Sequence, residues 1–188
     1  MKPSRVLART SLSDYKKEKS WVTIFCVANA TETEKMTLTF IHKYKSPHVI
    51  KNINYKNLPI YYFWNKKAWM QISIFNKIFL KLNRIMKQKN WKIIFLIDNA
   101  SVHLILDETQ KKLDYIDVKF LSPNTMTELQ SCDAEIIHSF KCHYKHLFIQ
   151  NWINAYDSVQ DEIVDKISNY IIYNALQNAT KAWSTVSS

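Results

Sequence analysis

A single α/β domain, a mixed sheet flanked by helices, is predicted by three features of this 188-residue chain. Strand-like runs come first, a long amphipathic pattern follows, and an unbroken apolar run, Ile93 to Ile97, then ends at Asp98 and Asn99. A run without polar alternation reads as a strand covered on both faces by helices, so it is expected to be the central strand. In open α/β sheets the carboxyl end of such a strand is where ligands are met. Asp98 is thus placed to hold a metal or a substrate. Asp-Asn after a strand is also ordinary turn chemistry, because both side chains bond nearby backbone N–H groups, and this stretch alone does not choose.

The length fits one domain with a substantial core. A net charge of +10 favours a polyanionic partner over acidic substrates, although solubility is another use of the same charge. Arginine is confined to Arg5, Arg9 and Arg84. Lysine is a point charge suited to phosphate, whereas arginine makes most bidentate contacts to guanine, so the basicity suits a nucleic-acid backbone better than base edges. Glycine is absent, which leaves any position of positive φ to Asn, Asp or a strained residue. Cys26, Cys132 and Cys142 form no CxxC pair and suit a reducing compartment. No apolar run is long enough for a membrane span, and MKPSRVLART has no apolar signal core. A soluble intracellular protein is expected.

Residues 1–20 read as a polar, basic arm. Trp21 to Ala28 is rich in β-branched and aromatic residues, and Met36 to His42 alternates apolar residues with threonine, so the two are expected to form an antiparallel hairpin. Without a turn glycine its connection should be wider than two residues. Pro59 to Trp64 is a third strand candidate whose aromatics could stack on bases or pack the sheet. Ala68 to Lys87 predicts a helix with a stripe of Trp69, Ile72, Phe75, Ile78, Phe79, Leu82 and Met86, and Lys and Asn opposite. A loop or short helix to Tyr115 and a strand from Ile116 to Leu121 should follow the central strand.

A further helix is expected to begin between Thr125 and Ser131, its stripe running through Leu129, Ile136, Ile137, Phe140, Tyr144 and Leu147. Asp133 falls on that stripe. An acid on the core side of a helix is paired, exposed at the first turn, or bound to a metal. Residues 154–183 should supply one or two more helices.

Taken in order, these stretches resemble the DDE-type transposases of the Tigger and pogo group. The likeness is carried by Lys19-Ser20-Trp21-Val22-Thr23 through Ala30, by Asn65-Lys66-Lys67-Ala68-Trp69-Met70, and by Asp98-Asn99-Ala100-Ser101-Val102-His103. It continues in Phe120 to Thr125, Leu129 to Asp133, Ile137 to Tyr144 and Lys181 to Val186. The resemblance implies an RNase H-like fold and two-metal phosphoryl transfer, with carboxylates holding Mg²⁺ or Mn²⁺. It makes Asp98 the second acid and Asp133 the third, both catalytic and metal-binding, and implies DNA as partner, contacted mainly through phosphates, in the nucleus. Self-association is left open.

The family's first acid is expected upstream of the stretch that Met1 to Ala8 resembles, and Asp14 lies after it. The sheet is therefore expected to lack its first strand and the site one ligand. The organisation that follows is a basic arm over residues 1–20, a partial catalytic domain over 21–155 and a helical extension over 156–188. A nucleic-acid-binding domain that does not cut is favoured over an active endonuclease or a relic without function. Glu135 beside the third acid is expected to perturb the site or to be irrelevant, and His103 could touch substrate or support Asp98. His138, Cys142 and His146 share a helix face, but a structural zinc needs four converging ligands.

Overall fold

The computed structural model describes residues 21–31, 33–46, 59–122, 135–158 and 172–186. Five strands occur there: β1 (Thr23–Phe25), β2 (Thr39–His42), β3 (Tyr61–Trp64), β4 (Ile93–Ile97) and β5 (Ile116–Phe120). The helices are α1 (Ile72–Lys89), α2 (Asp107–Gln110), α3 (Ile137–Ser158) and α4 (Ile172–Thr185). The strands make two small sheets, one of order β1-β2-β3 and one of β4-β5. β1 runs antiparallel to β2 with Thr23 opposite Ile41, as the hairpin reading requires. β3 is parallel to β2, and β5 is parallel to β4.

The hairpin loop does without glycine. Asn29 closes it, donating its backbone N–H to Glu34 O and accepting the Glu34 N–H on its side-chain Oδ1, both at 2.9 Å, while its amide bonds Thr31 and Thr33. The two positive-φ residues among those described are Asn90 and Ala68. At Asn90, φ is 53° and the last turn of α1 closes through Asn90 N–H to Lys87 O and Trp91 N–H to Met86 O. Asparagine tolerates that conformation, so it takes the role glycine usually has.

α1 is the element on which both sheets rest. Phe75, Phe79, Leu82 and Met86 pack with Ile97, Leu113 and Ile116, while Ile74 and Ile78 pack with Ile41. Phe25 of β1 meets Phe75 edge-on at 6.3 Å, and Phe95 of β4 meets Phe79 at 4.8 Å. Each such fully buried side chain contributes about 1.5–3 kcal/mol over an exposed one. A separate cluster joins Leu38, Phe40 and Ile60 to Ile136, Phe140, Leu176, Ala179, Ala182 and Trp183, so α3 and α4 cover the other side of the three-stranded sheet.

Three expectations need correction. β4 is not covered on both faces, because Ile94 is 66% and Leu96 52% exposed, and among the described residues its one ladder partner is β5. An apolar run does not by itself say that both faces are packed. α1 starts at Ile72, not near Ala68, because Asn65 folds the preceding residues into a turn; Trp69 leaves the predicted stripe and is 63% exposed. Asn76 and Asn83, assigned to the outer face, are buried. Asn76 donates to Leu104 O at 2.8 Å and accepts from Leu106 N–H at 3.0 Å, and Asn83 makes the same pair with Lys112 O and Tyr115 N–H.

His42 is buried at the end of β2, within 3.1 Å of the Tyr62 hydroxyl. Burial pulls its pKa below the ordinary 6.5, and a hydrogen bond with the Tyr44 backbone opposes this only in part. Below 6.5 the unfolded chain binds the proton more readily than the folded one. Stability is therefore expected to decline as the pH is lowered through and below 6.5, and His42→Gln should flatten that slope in urea melts at several pH values. An unchanged slope would show that His42 binds its proton equally readily in the folded and unfolded chains.

Candidate functional site

The end of β4 builds the site from α1 outwards. Asp98 directly follows Ile97 and is partly exposed, with a quarter (25%) of its side chain open to solvent. Its Oδ1 is bonded to Nδ1 of His103. The imidazole in turn stacks on Phe75 at 4.8 Å, in the first turn of α1. One turn carries His103 back to Asp98, closed by His103 N–H to Ala100 O at 2.9 Å. Asn76, next to Phe75, holds the chain just beyond at Leu104 and Leu106. The loop after Asp98 is thus fixed to the start of α1 by a stacked ring and a buried amide. Of the two readings of Asp98, turn former and ligand, the geometry adds a third component: a carboxylate with an imidazole partner.

That partner limits what Asp98 can do. With Oδ1 taken by His103, one oxygen remains for a cation or for water. Mg²⁺ and Mn²⁺ prefer several oxygen ligands. Among the described residues no group of three or more His, Cys, Asp or Glu stands together. One carboxylate and one imidazole, among the described residues, are too few ligands for a two-metal centre. Asp133, expected to be its second carboxylate, lies outside the described residues, as does Cys132. Glu135 is described and exposed at the start of the α3 region. His138 Nε2 and Cys142 Sγ are 3.5 Å apart on exposed α3 positions, a pair and not a zinc site.

Basic side chains line the solvent side of α1. Lys77, Lys81, Arg84, Lys87 and Lys89 are all exposed, and Ile72–Lys89 contains no acid. Lys77, Lys81 and Arg84 fall on one face by helical spacing. Lys81 Nζ sits 3.2 Å from the Tyr61 ring centroid, and partial burial draws its pKa below the usual lysine value. At the far end Lys89 pairs with Glu34 at 2.8 Å. The inner face of α1 is tied to the sheets, which leaves this outer face open for a polyanion. The sequence signal for it was present in the Lys-rich side of the amphipathic pattern.

Two small sheets with flanking helices, one strand ending in Asp98, make this a mixed α/β domain, and comparison with known families agrees. The profile of the DDE superfamily endonucleases matches residues 19–188, so the chain belongs to that family, in its Tigger and pogo branch. Tigger transposable element-derived protein 4 of Mus musculus is 26% identical over 143 residues, covering 76% of this chain and 27% of that protein. CENP-B homolog protein 2 of Schizosaccharomyces pombe is 26% identical over 158 residues, 81% of this chain and 30% of its own length. Tigger transposable element-derived protein 7 of Homo sapiens is 24% identical over 186 residues, 89% of this chain and 34% of its own. The chain thus spans about a third or less of these relatives. No solved structure matches it at a comparable level.

Proposed function

We propose that these residues form a DNA-binding domain that contacts the phosphate backbone without cutting it. The observation that carries the reading is α1: its exposed side carries five cations and no acid of its own, with Lys89 alone of the five in an ion pair among the described residues, to Glu34, in a chain of net charge +10. Lysine-rich contacts of this kind bind phosphate without reading sequence. Asp98 and Asp133 are the two carboxylates that this reading assigns to a metal site, and the His103 bond to Asp98 supports a weak affinity for Mg²⁺ or Mn²⁺. Two carboxylates, one already partnered, fix ions less firmly than in-line phosphoryl transfer demands. Nuclear residence follows from the same reading.

The RNase H-like form of the fold belongs to this proposal. β1 and β4 both rest on α1, yet among the described residues each is hydrogen-bonded to one neighbouring strand. One further strand between them would join the two sheets into a single mixed sheet, with Asp98 at its centre.

The test is binding of labelled duplex DNA from about 50 to 200 mM salt, where each phosphate contact contributes about 0.9 to the log–log slope. Replacing Lys77, Arg84 and Lys87 together by Gln is expected to lower that slope by about 2.7 if each contacts one phosphate, and the affinity by about tenfold or more. An unchanged slope would move the interface elsewhere. A supercoiled plasmid with Mg²⁺ or Mn²⁺ should stay intact. Nicking that disappears in Asp98→Asn would overturn the non-cutting half of the proposal and establish a working nuclease.

A further inference from the structure

The Asp98 end of α1 carries a second feature that phosphate binding does not use. β2 and β3 are parallel and finish together at His42 and Trp64, and β1, antiparallel, begins at Thr23 opposite Ile41. The residues that extend past that end of the sheet are Trp21, Tyr44, Trp64 and Trp69, exposed by 66, 56, 49 and 63%. Lys66 and Lys67 stand exposed between two of them. No acid occurs from Met36 to Ser46 or from Pro59 to Ile72. Large aromatic rings are poor choices for open water unless something covers them.

The segment that holds them is rigid. Buried Asn65 accepts Lys67 and Trp69 N–H groups at 3.1 and 3.3 Å and donates to Trp69 O at 2.6 Å. Ala68 N–H closes the turn on Asn65 O at 3.0 Å, and Thr23 of β1 donates its hydroxyl to Ala68 O at 2.8 Å. Ala68 is held at φ 54°, a conformation disfavoured for any residue with a Cβ. The turn therefore fixes the backbone under Trp64 and Trp69. Lys67 Nζ lies over one face of the Trp69 ring, 5.7 Å from its centroid, so a stacked base would take the opposite face. Three residues after Trp69 the chain enters α1, whose first turns hold the Asp98 loop.

We propose that this turn is a binding platform for unpaired single-stranded DNA, with a base stacked on Trp69, a neighbouring base on Trp64, and phosphates held by Lys66 and Lys67. Rings with cations between them match a strand of alternating base and phosphate. A protein partner with an apolar surface would leave the two lysines facing apolar groups. A duplex offers its phosphates but hides its base faces. The choice of DNA rests on the function proposed above; the aromatic site adds a preference for unpaired bases near Asp98.

The experiment measures binding of labelled oligothymidine and of a duplex to the full chain, with Trp69→Leu, Trp69→Phe and Trp91→Ala variants. Trp91 is the control: it is 48% exposed with Lys89 4.6 Å from its ring centroid, but at the opposite end of α1. Trp69→Leu is expected to weaken single-strand binding by roughly tenfold, in line with the stacking of one base, and to leave duplex binding nearly unchanged. Trp69→Phe should keep most of the affinity, and Trp91→Ala all of it. Circular dichroism of the exposed-site variants should match the parent. Single-strand affinity unchanged in Trp69→Leu, or lost equally in Trp91→Ala, overturns the platform while leaving the phosphate-binding proposal intact. Binding of neither DNA form by the parent chain overturns both. Tighter Trp69-dependent binding to oligouridine than to oligothymidine would overturn DNA as the occupant.

Discussion

Trp183→Ala is expected to destabilise the chain by about 3–5 kcal/mol, the range for emptying a large aromatic site in a core. Trp183 is 6% exposed, meets Phe140 edge-on at 6.0 Å, and donates its indole N–H to Met36 O at 2.8 Å. Lys35 completes the arrangement, its ammonium 5.4 Å from the ring centroid and bonded to Trp183 O at 2.8 Å and to Val186 O. The substitution thus empties a cavity, orphans a carbonyl on the hairpin and releases Lys35 from its aromatic partner. Against a typical total stability of about 5–15 kcal/mol, a loss of that size unfolds a visible fraction of molecules. Trp183→Phe retains a ring but not the N–H, and should cost roughly 1–2 kcal/mol less than the alanine variant. Urea unfolding followed by circular dichroism decides. A cost below about 1 kcal/mol for Trp183→Ala would mean that α4 docks on the hairpin without contributing to the core.

What could be read from the sequence divides along the reach of each signal. The hairpin, β3, β5 and the buried line of Phe75, Phe79, Leu82 and Met86 were legible, because period and composition are local properties. The boundary of α1 was not. Trp69 has the right spacing for the stripe, but Asn65 commits the four residues after it to a turn, and an Asx-type bond is invisible to a periodicity count. Asn76 and Asn83 were misplaced for a related reason. Asparagine reads as a solvent residue until a loop some thirty positions away brings a carbonyl and an N–H to meet it. The apolar run of β4 was found, yet its exposed Ile94 and Leu96 show that hydrophobicity marks a strand better than it marks the number of covered faces. At the site, Asp98 and the nearness of His103 were readable from five residues of spacing. That the two are bonded, and that Phe75 stacks on the imidazole, depends on where α1 packs. Asp133 lies outside the described residues, so its role remains with the proposal.

Asn76→Ala is expected to cost about 1–2 kcal/mol, with a local signature that separates it from Asn83→Ala. Both amides are buried on α1, seven residues and nearly two turns apart, and each accepts one N–H and donates to one carbonyl of the β4–β5 connection. Removing either leaves a backbone donor and acceptor unpaired against an apolar helix face, at about 1–3 kcal/mol if neither reaches water. Leu104 and Leu106 have exposed side chains, so the released backbone near Asn76 can reach solvent by local opening, and the cost should fall at the lower end. That opening is the informative part. The segment Asn76 holds begins immediately after His103, and His103 is the partner of Asp98, so loosening it should free the carboxylate. Amide exchange in Asn76→Ala should accelerate from His103 to Leu106, while in Asn83→Ala it should accelerate near Lys112 to Tyr115 and leave the Asp98 loop protected. If freeing Asp98 is what limits metal affinity, Asn76→Ala should also bind Mn²⁺ more tightly than the parent. Equal exchange profiles in the two variants would show instead that the connection opens as one unit, and that Asn76 stabilises the fold without positioning the site.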